Sequence, residues 1–203
     1  MSNIDTHAAP DRAASQPEAE KRPARDRILL TAHALFYRDG IRATGIDRVI
    51  AESGVTKVTF YRHFRSKNDL ILAYLDYRHA VWMAWFEEAL GRHGAAQRGI
   101  DALVPALAEW LRDAQYRGCA FINSVGELGG ALPEVAEIAR RHKAAMASAI
   151  AQRLEPSRQR LRDAQALAVA VDGAIVHAQY DETPDAALKA LQRLVDAVRA
   201  APR

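Results

Sequence analysis

Cysteine is nearly absent from this chain. Cys119 is the only one in 203 residues, which excludes an internal disulfide and makes a reducing cytoplasm the expected compartment. Long hydrophobic runs are missing as well. No uninterrupted apolar stretch approaches the roughly 18 residues of a membrane span, and the N-terminus has no continuous apolar core of a secretory signal, so no membrane partner is expected. Apolar–polar alternation persists nowhere, which points to an all-α chain. A nucleophile elbow, a glycine-rich phosphate loop and a metal-ligand box are all lacking, so neither enzymatic activity nor a cofactor is expected. Glu127, His142, Asp172 and His177 carry metal donors, but their scatter along the chain has no ligand spacing, and no metal is expected. An acid–base enzyme using His and Glu in a helical cavity is the rival from another class, and turnover of a bound molecule would favour it.

Net charge is small too, +3 overall, but unevenly placed. Residues 1–80 hold 13 Lys/Arg against 10 Asp/Glu, whereas residues 81–203 hold 15 of each. Residues 41–67 concentrate the excess, with Arg42, Arg48, Lys57, Arg62, Arg65 and Lys67 against Asp47 and Glu52. A local basic surface suits a polyanion. A solvated face shows the same count, so the charge supports a motif without replacing one.

What is present is helical periodicity. Residues 1–24 are polar, Ala/Pro-rich and aperiodic, as expected of a disordered tail, in which Arg12, Lys21 and Arg22, with Arg25 just beyond, have the charge to follow a DNA minor groove. Ile28, Leu29, Ala32, Leu35 and Phe36 then form an apolar stripe that Asp39-Gly40 ends. Thr44 is placed to cap the next helix. Ser66-Lys-Asn-Asp69 is a capping-box variant opening a long helix through about Leu90. Gly91, Gly94 and Gly99 read as a loop. Further periods run over Ile100–Tyr116, Pro133–Leu154, Ser157–Tyr180 and Pro184–Ala200, with a short helix at Asn123–Leu128, and Pro133, Pro156 and Pro184 fit helix starts. About nine helices are expected.

Residues 45–70, GIDRVIAESGVTKVTFYRHFRSKNDL, carry the most specific pattern. The apolar period of Ile46, Val49 and Ile50 stops at Gly54, whose missing Cβ suits the left-handed residue ending one helix before a second begins at Thr56 and Lys57. That is a helix-turn-helix. Its second helix gathers cationic and hydrogen-bonding groups of the kind that contact phosphates and base edges.

Phe36, Gly40, Ile50-Ala51, Gly54-Val55, Phe60-Tyr61-Arg62-His63-Phe64, Ser66-Lys67 and Leu70 together make residues 25–75 resemble the DNA-binding domain of the TetR/AcrR family of transcriptional regulators. The resemblance implies a three-helix DNA-binding domain at 25–70 and a helical ligand-binding and dimerisation domain at 71–203. It places Thr44, Thr56, Lys57, Val58, Thr59, Tyr61, Arg62, His63 and Lys67 at the DNA. Lys57 and Arg62 would reach base edges, Arg62 bidentate to a guanine, and Val58 a thymine methyl. Thr44, Thr59, Tyr61, His63 and Lys67 would hold phosphates. Phe60 and Phe64 fit the core instead, and Tyr61 has a competing place as a half-buried packing residue.

The expected partners are a palindromic double-stranded operator, a small-molecule effector and a second copy of the chain. A homodimer would form through the last two long helices, with Leu161, Leu167, Ala168, Val171, Ala174, Ile175 and Ala178 on one strip and Leu188, Leu191, Leu194, Val195 and Val198 on the other. Intramolecular packing explains either strip alone. For the effector, Trp82, Trp85, Phe86, Trp110 and Phe121 offer aromatic walls, and Asn123, Glu127, His142, Asp172 and His177 offer polar groups. Plain core is the competing use of such aromatics. Cys119, in Arg117-Gly118-Cys119, fits either an inert buried thiol or a redox- or electrophile-sensing one. The combined expectation is a homodimeric repressor released from its operator by a ligand. A cysteine-based sensor and a DNA-binding protein without a ligand are the alternatives.

Overall fold

The computed structural model describes residues 22–96 and 99–201. Among them the regular structure is nine α-helices and one 3-10 turn, with no strand. The helices are α1 (Ala24–Asp39), α2 (Ile46–Ser53), α3 (Lys57–His63), α4 (Lys67–Ala96), α5 (Leu103–Leu111), α6 (Ala120–Leu128), α7 (Pro133–Ala151), α8 (Arg160–Tyr180) and α9 (Asp185–Ala200), with the 3-10 turn at Gly99–Ala102. The tail expected over 1–24, including Arg12 and Lys21, lies outside the described residues except at its last three positions, and Ala24 already opens α1.

Two compact units divide the described residues. One holds residues 22–80 together with Ala120–Ala139, and the other holds Val81–Cys119 together with 140–201. In the first, α1 buries Ile28, Leu29, Ala32, Leu35 and Phe36, the one-sided stripe that helical period predicts. Val49 of α2, Phe60 of α3 and Leu70, Ile71, Tyr74 and Leu75 of α4 are buried in the same unit. Phe36 meets the Tyr74 ring edge-on at 5.4 Å. Each such side chain contributes about 1.5–3 kcal/mol by leaving water, so this core fixes where α3 points.

In the second unit, α8 packs along α9. Leu167, Ala168, Val171, Ala174 and Ile175 of α8 are buried within the chain, as are Leu188, Leu191 and Val195 of α9. These residues made up most of the strips expected to face a second subunit, and they are intramolecular core. Leu161 and Leu194 are exposed, joined on the outer face by Val169, Val176 and Tyr180. Periodicity identified both helices but could not say which apolar face each keeps for its own chain.

Three local expectations also change. Helix α4 does not stop at Leu90 but runs through Gly91 and Gly94 to Ala96, and of the three glycines only Gly99 takes a positive φ. A helical glycine costs about 1 kcal/mol relative to alanine. That cost is offset here by buried Ala89 and Leu90 and by Arg92, which pairs with Glu88 at 2.9 Å and Glu109 at 2.6 Å. Pro156 opens no helix, since α8 begins at Arg160, and α6 begins at Ala120, three residues before the expected Asn123. Thr44 does not cap α2. Gly45 occupies that position without a side-chain bond, while the Thr44 hydroxyl donates to the Gly40 carbonyl at 2.8 Å.

Candidate nucleic-acid interface and effector region

The helix-turn-helix is built as the sequence indicates. Gly54 has φ +63°, in the left-handed region, and Val55 N–H closes on the Ile50 carbonyl at 3.4 Å. Thr56 caps α3 by accepting the Thr59 N–H at 3.2 Å, and the two hydroxyls meet at 2.9 Å. Ser66 caps α4 by accepting the Asp69 N–H at 3.0 Å. Phe60 and Phe64 are buried on the inner side, which turns Lys57, Val58, Tyr61, Arg62 and His63 outward.

That outer face has mixed chemistry. Val58 is 71% exposed, an apolar side chain left uncovered among the described residues. Lys57 lies 3.6 Å from Asp47, both on the surface, a pairing too solvated to hold the ammonium. Arg62 and His63 are exposed and make no ion pair among the described residues. Tyr61 is 42% exposed with its ring edge-on to Phe60 at 5.2 Å, so its body packs while it still reaches the surface.

Two residues expected at phosphates are placed otherwise. Thr44 is fully buried, so its bonded hydroxyl does not reach the surface. Lys67 Nζ donates to the Ile41 carbonyl at 2.6 Å and lies 6.0 Å from the Phe36 ring. Burial lowers its pKa, opposed by the Glu127 carboxylate. Around the turn, Arg48 joins Asp39 at 2.9 Å and Glu52 at 2.8 Å. The Asp39 carboxyl is held at about 2, first by its hydrogen bond from Arg38 and then by the charges of Arg38 and Arg48.

The residues expected at the effector do not form one group. Trp82, Trp85, Phe86, Trp110 and His142 come together in the second unit. Trp82 stacks on Phe86 at 4.7 Å and meets Trp110 and His142 edge-on at 5.5 and 5.0 Å. Asp172 pairs instead with Lys143 at 2.5 Å, and the same ammonium lies 3.4 Å from Cys119 Sγ. His177 is exposed and bonded to the Tyr180 hydroxyl at 2.5 Å. Phe121, Asn123 and Glu127 belong to the first unit. Glu127 accepts the backbone N–H groups of Ile41 and Arg42 at 3.3 and 2.8 Å, so its carboxylate holds the turn before α2. A pocket of about 260 Å³ opens among Asp101, Arg153, Glu155, Arg160, Asp163 and Arg199. It is charged, and none of the aromatic cluster lines it. Among the described residues no three His, Cys, Asp or Glu side chains gather as a metal site.

Sequence reasoning missed a buried cation. Arg78 is 1% exposed, with its guanidinium carbon 4.2 Å over the Tyr37 ring and Nη1 3.4 Å from His33 Nε2. An arginine on an apolar helical stripe is the signal that marked it.

Comparison with known proteins follows the same division. Residues 28–74 match the profile of the bacterial regulatory proteins of the tetR family. A crystal structure of SCO4454, a TetR-family transcriptional regulator from Streptomyces coelicolor, superposes with a TM-score of 0.74 at 27% identity, covering 94% of this chain and 97% of that one. Residues 28–74 thus carry the tetR-family DNA-binding domain, on a chain whose fold is similar to that of a TetR-family transcriptional regulator. The relatives that it matches are helix-turn-helix transcriptional regulators. The Escherichia coli K12 regulator UidR is 25% identical over 146 residues, 70% of each chain. The Bacillus subtilis regulator YerO is 40% identical over 53 residues, which is 26% of this chain but only 18% of YerO. Sequence likeness to YerO is therefore limited to a segment about as long as the DNA-reading part.

Proposed function

We propose that this chain is a TetR-family regulator, a cytoplasmic homodimeric repressor that reads a palindromic operator through α3 and is released by a small-molecule effector bound in the second unit. The observation that carries the DNA-reading part is the outward face of α3, where Arg62, Lys57 and the exposed apolar Val58 stand on a helix whose inner face is fixed in a core. Arg62 is suited to a guanine edge and Val58 to a thymine methyl, while Tyr61, His63 and Thr59 are suited to phosphates. Thr44 and Lys67 serve the turn that positions α2.

Reading a palindrome needs two heads about 34–36 Å apart. The face left apolar supplies a seam for the second copy. Leu161, Val169, Val176 and Tyr180 on α8 and Leu194 on α9 are exposed at helical spacing, and the small Gly173, Ala190 and Ala197 between them permit close approach. Two such helices from each subunit make a four-helix bundle. Homodimerisation and release by a small molecule are typical of the family. A ligand acts this way by binding the conformer unable to hold the operator more tightly than the other.

Selection of bound duplexes from random DNA tests this reading. The expected product is an inverted repeat with half-sites about one helical turn apart, bound by a dimer. Recovery of no preferred sequence would leave only a non-specific DNA-binding protein.

A second reading attaches to Cys119. Its Sγ is 3.4 Å from Lys143 Nζ. Burial disfavours the lysine charge, but Cys119 and Asp172 hold its pKa above the ordinary value. The contact between the buried thiol and this ammonium supports an oxidant- or electrophile-responsive regulator. A Cys119→Ser protein that answers the physiological signal normally removes it.

A further inference from the structure

Trp82 is the ring that touches all four other members of the aromatic cluster, and it is 2% exposed. Its indole Nε1 is buried and has no hydrogen-bond partner among the described residues. An indole nitrogen can only donate, and buried tryptophans normally find an acceptor. Here the buried N–H is left without one, and an unmade bond in the interior is costly.

We propose that the cluster centred on Trp82 is the effector site, and that its ligand is a neutral, flat aromatic molecule carrying one hydrogen-bond acceptor that takes the Trp82 Nε1–H. The inference rests on the reading of the second unit as the effector domain and gives that site a ligand chemistry. Flatness follows from the rings. Phe86 stacks on Trp82 within 23° of parallel, while Trp110 and His142 stand edge-on to it, so an aromatic guest finds both a face and an edge to pack against. Neutrality follows from the lining, because the five rings include no carboxylate, ammonium or guanidinium. The charged pair on neighbouring helices, Lys143 and Asp172, is already joined at 2.5 Å. The acceptor follows from the orphaned donor.

The rings also touch one another, with centroids 4.7–6.0 Å from that of Trp82. A guest must displace side chains and does not simply fill a void. That requirement suits an effector, because a ligand that binds only a rearranged core has the differential affinity a switch needs.

The test uses two probes of one shape, 2-acetylnaphthalene and 2-ethylnaphthalene, which differ in the carbonyl. Titrated into the full-length protein and followed by calorimetry, the ketone is expected to bind roughly tenfold more tightly than the hydrocarbon. In a Trp82→Phe protein, which keeps a ring and loses the donor, the two should bind alike. The indole proton of Trp82 gives a reading that needs no variant. With three tryptophans in the chain, ¹⁵N-indole spectra should show one resonance moving downfield with the ketone and staying in place with the hydrocarbon. Equal binding of the two probes by the native protein, binding of neither, or an unmoved indole resonance overturns the proposal. Operator affinity measured in the same titration separates the two claims. A ketone that binds through Trp82 but leaves operator affinity unchanged keeps the site and removes the effector-release reading.

Discussion

Glu127 accepts the backbone N–H of Arg42 at 2.8 Å, and the Arg42 guanidinium donates back to the Glu127 carbonyl at 2.8 Å. The two residues are 85 positions apart in the chain, yet they close a reciprocal clamp on the turn between α1 and α2. Ile41 adds its N–H to the same carboxylate at 3.3 Å, and Lys67 takes the Ile41 carbonyl. Gly40 makes the turn possible, with φ +88° and a position where a Cβ would come to 3.5 Å from the Glu127 carboxylate. The end of α6 thus fixes the approach to the helix-turn-helix. Replacing Glu127 with Ala is expected to cost on the order of 1 kcal/mol, since the bonds are partly solvated, and to weaken operator binding. Urea unfolding and gel-shift titration measure both effects, and Glu127→Gln should recover part of each because its amide oxygen still accepts. Wild-type behaviour of the alanine protein in both assays would show that the clamp has no role.

Gly54 sets the angle between α2 and α3. A side chain there must adopt the left-handed backbone, at a cost of about 1–2 kcal/mol, with no close contact to worsen it, the nearest atom being Arg27 Nη1 at 4.0 Å. Gly54→Ala should therefore lower stability by about that amount in urea unfolding and reduce operator affinity. A Gly45→Ala control, at a position with φ −78° and nothing within 4 Å, meets no backbone strain and should cost less stability than Gly54→Ala, through the weaker N-cap alone.

His33 ties stability to pH. It packs against Tyr74 and Tyr77 of α4, and its Nε2 faces Arg78. Burial first and the Arg78 charge second lower its pKa to about 3. The unfolded chain binds this proton near pH 6.5. Between those values the unfolded state holds more protons than the folded one, so stability falls as pH falls, by up to about 1.4 kcal/mol per pH unit. Urea midpoints at pH 7, 6 and 5 should decline more steeply in the native protein than in His33→Gln. Parallel declines would remove His33 as the cause.

The two faces of α8 predict opposite phenotypes. Val169→Glu, on the exposed face, should shift the protein from dimer to monomer in analytical ultracentrifugation while helix content and thermal unfolding of the subunit change little. Leu167→Ala, on the buried face, should cost about 2–5 kcal/mol of stability without directly altering the seam. A dimer that survives Val169→Glu places the second copy elsewhere.

The reading head was legible in the sequence because its determinants are local. Gly54, Thr56 and Ser66 act within three or four residues of themselves, and the structure uses them as that spacing indicates. Thr44 shows the limit of such reasoning: a hydroxyl one residue before a glycine cap turned back to the Gly40 carbonyl. Glu127 was unreadable for a different reason, since its partners lie 85 and 86 residues away and nothing near it marks a clamp. The C-terminal helices are alanine-rich and apolar on more than one side, so period alone could not separate core from exposed face. Gly91 and Gly94 looked like a loop because composition does not register the pairing of Arg92 with Glu109. Of the aromatic residues grouped in the sequence, Trp82, Trp85, Phe86 and Trp110 come together with His142 while Phe121 lies in the other unit, and the orphaned donor exists only in three dimensions.

Sequence-specific readout by α3 is tested most directly at Arg62. The affinities of the native and Arg62→Ala proteins should be compared on a selected operator and on each of its single-base variants. The expected loss for Arg62→Ala is about 1–3 kcal/mol, roughly 5- to 150-fold, with discrimination erased at one base pair in each half-site and kept at the others. An equal loss on every sequence, or no loss at all, would contradict base reading by this helix.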